Sequence, residues 1–235
     1  MGNASGADLY NAAANGKLNK VYSILKKGVD PNSYSNKDGW IPLHIASQNG
    51  HKDIVSLLLS KGANIHQAIN DGATSLYIAA QQGHKEIVSL LLFNGANVHQ
   101  ANNNAETPLF IAAQNGHTDI VSILLFNEAD IHQTDKDGWT PLLIAASHGH
   151  KDTVSSLLSN GASIYQAINN GCAPLHLAAE NGHNSTVSLL LSKGANIDQT
   201  NNDGATPVYI AAQNGHNDTV QLLFSNGANI NKAMN

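Results

Sequence analysis

Apolar residues in this chain arrive in two alternating kinds of burst. One is short and alanine-rich, as in Leu109, Ile111, Ala112 and Ala113; the other is bulkier, as in Ile120, Val121, Ile123, Leu124 and Leu125. Both spacings place the apolar side chains along one side of a helix. The punctuation agrees. Thr107-Pro108 and Thr140-Pro141 supply an N-cap followed by proline at the first helical position, and Gly116 ends the short helix. Gly62, Gly95, Gly161, Gly194 and Gly227 suit left-handed caps on the longer helices. Between Asn64 and Gly72, an isolated Ile65 and the turn formers Asn70-Asp71-Gly72 predict a projecting hairpin.

This helix–helix–hairpin unit recurs. Gly-His appears at Gly50-His51, Gly83-His84, Gly116-His117, Gly149-His150, Gly182-His183 and Gly215-His216, always 33 residues apart. The block Ser56 to Ile65 returns unchanged at Ser188 to Ile197. A degenerate first copy aligns Leu9, Ala12, Gly16, Leu25 and Gly28 with Leu43, Ala46, Gly50, Leu59 and Gly62 at an offset of 34. The units are 5–37, 38–70, 71–103, 104–136, 137–169, 170–202 and 203–235, within one domain spanning 5–235. No unit can bury its apolar face alone, so the units must stack. Small first helices approach more closely than bulky second ones. The expected fold is mainly α: a curved solenoid of seven repeats, with first helices and hairpins on the concave side.

The runs T-P-L-F-I-A-A-Q-N-G-H from Thr107 and A-P-L-H-L-A-A-E-N-G-H from Ala173 resemble the ankyrin-repeat signature, in register over nearly the whole chain. That resemblance implies a curved stack of helix–turn–helix–hairpin repeats that binds proteins and has no enzymatic activity of its own. Several positions depart from it. Ile41 and Ala173 replace the capping threonine, and Ser75 replaces the proline. Ala105 replaces the hairpin glycine and Glu128 the helix-ending one. A side chain in a left-handed position costs on the order of 1 kcal/mol, so the fourth repeat is expected to be locally the weakest.

Composition narrows the function. There is no arginine, the net charge is -5, and 30 asparagines fill the polar surface. A nucleic-acid partner is not expected, because phosphate and base contacts need concentrated positive charge. No stretch reaches the roughly 18 apolar residues of a spanning helix, and no basic amphipathic run suggests a membrane surface. Met1-Gly2 lacks the hydroxyl residue a myristoylation start wants at position six, where Gly6 stands. Asn3, Asn184 and Asn217 lie in glycosylation sequons, read here as chance in an asparagine-rich chain. A lone Cys172 fits a reducing compartment. The expected location is the cytoplasm, or a host cytosol for an intracellular microbe, since the composition suggests an AT-rich genome.

Twelve histidines invite a metal reading. Six belong to Gly-His, His44 and His176 share the T-P-L-H slot, and His66, His99 and His132 form a hairpin column. Residues of one column lie one repeat apart, roughly 10 Å, too far to share a zinc ion. His148-x-His150 has no third ligand. Cys172 is expected to be an incidental exposed thiol in a variable hairpin slot. No nucleophile elbow, phosphate loop or dinucleotide fingerprint occurs, and the four glutamates are scattered. No catalytic residue, metal or cofactor is assigned.

Variation among the repeats points to a partner surface. The slot after the hairpin glycine reads Trp40, Ala73, Glu106, Trp139, Cys172 and Ala205. It is expected to face solvent or a partner, with Trp40, Glu106 and Trp139 as contacts. The alternative is that each tryptophan folds back on a neighbouring hairpin. The end of the first helix supplies a polar column, from which Gln48, Gln81, Gln82, Gln114, Ser147, His148, Glu180 and Asn181 are assigned to partner binding. Phe93 and Phe126 share a slot that is otherwise serine and are expected to be exposed on the convex side. The last repeat keeps the internal apolar pattern without a polar cap, which predicts self-association or a longer array. The leading function is a non-catalytic scaffold holding a protein or peptide on the concave surface. The alternative is the recognition segment of a larger multidomain enzyme or secreted effector.

Overall fold

The computed structural model describes residues 5–232; Asn3 and Asn235 lie outside them. The described residues form fourteen α-helices and a 3-10 turn at Ile230–Lys232, with no strand beyond one isolated Ala68–Thr74 bridge. First helices are α1 (Gly6–Ala14), α3 (Pro42–Gln48), α5 (Ser75–Gln82), α7 (Pro108–Gln114), α9 (Pro141–Ser147), α11 (Pro174–Glu180) and α13 (Pro207–Gln213). Their partners are α2 (Leu18–Lys26), α4 (Lys52–Ser60), α6 (Lys85–Phe93), α8 (Thr118–Phe126), α10 (Lys151–Ser159), α12 (Asn184–Ser192) and α14 (Asn217–Ser225).

The chain gathers into two compact units, Met1–Pro108 with Phe126–Ala129, and Leu109–Leu125 with Asp130–Asn235. In the first, α3 packs between α1 and α5, and α4 packs between α2 and α6. In the second, α11 packs between α9 and α13, and α12 between α10 and α14. The serial stacking read from the pattern is therefore present within each unit. A middle first helix has neighbours on two sides. Along α11, Pro174 to Ala179 are all buried, so that helix shows no polar stripe. In α12 only Thr186, Val187 and Leu190 are buried, on one face.

Capping takes two forms. The Thr74, Thr140 and Thr206 hydroxyls accept from the amides three residues on, at 3.3–3.4 Å. Ile41 and Ala173 have no hydroxyl, and in those same two repeats a histidine stands at the third helical position. Nδ1 of His44 accepts from the Ile41 amide at 3.2 Å, and Nδ1 of His176 from the Ala173 amide at 3.1 Å. Their Nε2 atoms then donate to the Gln67 and Gln199 carbonyls, both at 2.9 Å. Ser75 has no such compensation: its hydroxyl is buried without a hydrogen-bond partner where other repeats carry proline.

Each hairpin is closed by an amide-to-carbonyl bond across five residues, as from Asn36 to Trp40 and from Ile69 to Ala73. Asparagines tie successive hairpins together. The Asn103 amide donates to the Asp71 carbonyl at 2.7 Å and its side chain to the Asn70 carbonyl at 3.0 Å. Asn70 does the same to Asp38 and Lys37, and Asn202 to Asn170 and Asn169. Glycine is required at the turn beneath: a Cβ on Gly72 would sit 2.7 Å from Asn103 Oδ1. Ala105 and Glu128 keep the left-handed backbone without glycine, at φ 63 and 65.

Candidate interaction surface

The slot after the hairpin glycine does not face outward as expected. Ala73, Cys172 and Ala205 are buried, while Trp40, Glu106 and Trp139 are half-buried. Cys172 is thus not an exposed thiol: it is 4% exposed, and burial is the main influence pushing its thiol pKa up. The physical reason is that this slot packs onto the third helical position of the preceding repeat. Leu143 meets Cys172 in a cluster with Leu177, Ala205 and Ile210, and Trp139, Ile168 and Tyr209 pack against it. In the first unit the Tyr77 hydroxyl donates to Glu106 Oε2 at 2.8 Å, and Asn102 donates to the same oxygen at 2.7 Å. Burial first, then Glu106, pushes the Tyr77 pKa well up. Variation in this column therefore partly records complementarity to the preceding repeat. Trp139 has an intramolecular partner, as the folded-back alternative requires.

The column at the end of the first helix is more open. Gln81, Gln82, His148, Glu180 and Asn181 are exposed; Gln48, Gln114 and Ser147 are half-buried. Several asparagines there are already engaged. Asn181 and Asn214 donate to the carbonyl four residues back at 2.9 Å, capping their own helices, and His148 Nδ1 bonds the Ile144 carbonyl at 3.0 Å.

The Gly-His histidines explain how this surface is held. His84 Nε2 donates to the Gln48 carbonyl at 2.8 Å, His150 to Gln114 at 2.8 Å, His183 to Ser147 at 2.9 Å and His216 to Glu180 at 2.8 Å. Each imidazole also lies over the glycine of the preceding repeat, so a Cβ on Gly149 would come within 2.6 Å of the His183 ring. The sequence shows the 33-residue recurrence but not this bond between repeats. At Gln48, Gln114, Ser147 and Glu180, these bonds use the main chain, and the side chain is free to be glutamine, serine or glutamate. The stacked His148 and His150 rings lie 6.0 Å apart, and burial is the main influence lowering the His150 pKa. No group of three potential metal ligands occurs among the described residues.

Phe93 and Phe126 are 90% and 88% exposed, as their slot predicted. No described helix is long and apolar enough to cross a membrane. The sequence reading missed an aromatic group at the first hairpin: the Tyr10 and Tyr34 ring centroids lie 5.5 Å apart, and Trp40 meets His44 edge-on at 6.1 Å. The available signal was Tyr34, standing in a slot that is otherwise alanine or threonine.

Known proteins show the same arrangement. A family described as ankyrin repeats (3 copies) matches at residues 9–102, 91–168 and 165–234. The human ASB11 ankyrin repeat domain superposes with a TM-score of 0.86 at 29% identity, covering 94% of this chain and 98% of that one. Shorter stretches resemble two enzymes. The mouse 2-5A-dependent ribonuclease is 44% identical over 61 residues, 26% of this chain and 8% of the ribonuclease. The human histone-lysine N-methyltransferase EHMT1 is 42% identical over 66 residues, 27% of this chain and 5% of the methyltransferase. These matches span only a small part of either enzyme.

Proposed function

Because the chain belongs to the ankyrin-repeat family, whose repeats are generally protein-interaction modules, we propose that it is a non-catalytic scaffold that binds a protein or peptide partner. Binding uses the hairpin and first-helix surface of each compact unit. One surface includes Trp40, Gln48, Gln81, Gln82 and Glu106; the other includes Gln114, Trp139, Ser147, His148, Glu180 and Asn181. The observation that carries this reading is the split at the first-helix ends. Bonds from one repeat to the next fix the backbone there through main-chain carbonyls, while the side chain changes among glutamine, serine and glutamate. A rigid backbone bearing varied polar groups binds at low ordering cost. The proposed location is the cytoplasm.

The experiment compares purified baits in partner capture from native cytosol. One variant carries Trp40→Ala, Gln81→Ala and Gln82→Ala; another carries Trp139→Ala, His148→Ala and Glu180→Ala. A protein held by the parent and weakened at least tenfold by either variant, with circular dichroism unchanged, is the expected result. Capture unaffected by both variants would overturn this placement.

A second reading is favoured by the two enzymes above, in which a similar stretch forms under a tenth of the protein. It is that this chain serves as the recognition segment of a larger protein. Self-association is a further proposal, supported by α13 and α14. Ala212 there is exposed and Val220 half-buried, although Ala179 and Val187 one repeat earlier are completely buried. Light scattering that shows a monomer at all concentrations would remove it.

A further inference from the structure

The hairpin following α2 carries Tyr34, which packs on Tyr10 of α1, and, six residues on, Trp40, which meets His44 edge-on. Tyr34 lies against Tyr10 with ring planes inclined at 55°. The Asn36 side chain hydrogen-bonds the Tyr10 phenol, and Asn36 is paired across the hairpin with Trp40 through a 3.0 Å backbone bond. Asn36 Oδ1 also accepts from the Asp38 and Trp40 amides, both at 2.9 Å, so the turn is held by its own side chain. Tyr10, Tyr34 and Trp40 are each half-buried. Asp38 is exposed at the hairpin tip. Its charge reaches Tyr10, whose pKa is raised by burial first and then by Tyr34 and Asp38. Asp71 at the next tip reaches both His44 and Tyr77, and Glu106 follows one repeat further along the same unit. Over these three tips (34–40, 69–77 and 102–106) Lys37 is the sole cation, against Asp38, Asp71 and Glu106.

Open aromatic faces carry negative quadrupole potential and attract cations, and neighbouring carboxylates add to that field. A purely apolar ligand would use the rings and leave the carboxylates without a role. The geometry points to a cation-accepting site at Tyr10, Tyr34, Trp40 and Asp38, which takes a lysine or arginine side chain from an extended segment of the partner protein. This rests on the binding function proposed above and names the chemistry of the partner at one end of it. Trp40 supplies the ring face, Tyr34 and Tyr10 the adjoining wall, and Asp38 the counter-charge. Asp71, exposed at the next tip, extends the acidic edge along which a further basic residue of the segment lies.

The probes are acetylated, amidated tetralysine and tetraarginine peptides, with the Nε-acetylated tetralysine as the neutral control. Trp139→Phe leaves Trp40 as the only tryptophan, so its fluorescence reports on the site. Saturable change with tetralysine or tetraarginine, absent with the acetylated control, is expected. Tyr34→Ala and Asp38→Asn, each in that background, should weaken binding roughly tenfold, within the range of a cation–aromatic contact. Trp40→Ala, followed by calorimetry, should do the same. Equal binding of the acetylated peptide, no saturation by either basic peptide, or binding indifferent to Trp40→Ala and Asp38→Asn would overturn the site. Those results together with partner capture that still depends on the assigned surfaces would remove this inference alone and leave the scaffold function standing.

Discussion

At His44 an imidazole caps the helix start from inside: it accepts from the Ile41 amide, not from the amide three residues on that a threonine hydroxyl serves. Accepting at Nδ1 and donating at Nε2 needs the neutral ring in one tautomer. Burial accordingly lowers the His44 pKa from 6.5 to about 4, against the opposing pull of the Gln67 carbonyl and Asp71; His176 is lowered in the same way. A folded pKa below the unfolded one means that the unfolded chain takes up the proton first as pH falls. Stability is therefore flat for this group above about pH 6.5 and is lost between there and about pH 4, by up to roughly 1.4 kcal/mol per pH unit. Urea melts at pH 7.5, 6 and 5 should show the decline. The double substitution Ile41→Thr, His44→Leu rebuilds the arrangement of Thr140 and Leu143 and should make it shallower. An unchanged pH slope would mean that His44 does not carry it.

At the scale of the element, the bonds from the His51, His84, His150, His183 and His216 imidazoles to the preceding first helix couple neighbouring repeats within each unit. Two glycines separate the two demands of that contact. Gly149 and Gly215 share a left-handed backbone, with φ of 72 and 76. The His183 ring covers Gly149, whereas nothing lies within 4 Å of a Cβ on Gly215. Gly215→Ala should cost only backbone strain, about 1–2 kcal/mol. Gly149→Ala should cost that plus crowding of the His183 ring, a further 1–3 kcal/mol. Equal losses in chemical denaturation would show that the ring yields freely. The sequence made both glycines legible as turn positions, because a helix end and a left-handed residue are local matters. It gave no sign that one turn is a socket and the other is open. That depends on an imidazole 34 residues away.

For the whole molecule, the weakest point should lie in the fourth repeat, through which the division between the two compact units also passes. Ala105 and Glu128 both hold left-handed backbone with a side chain present. In a repeat array, stability is close to a sum of repeat and nearest-neighbour terms, so local strain stays local. Amides of residues 104–136 should exchange faster than those of 71–103. The pair Ala105→Gly, Glu128→Gly should slow that exchange and add about 1–2 kcal/mol per site. Protection in the fourth repeat equal to that in the third would count against the idea.

Taken alone, the sequence determined the helix pairs, the hairpins and the left-handed positions. Caps, turn formers and apolar spacing act over a few residues, and a 33-residue period repeats their message until it is unambiguous. The tertiary structure alone decided which side of a variable column is free. Cys172 and Trp40 share a slot, yet one is buried beside Leu143 and the other is half-buried with its ring edge-on to His44. Slot identity cannot distinguish them, because the deciding neighbour stands one repeat earlier and has its own size and polarity. The same holds for His44, whose role depends on a backbone amide three residues before it and on a carbonyl 23 residues beyond.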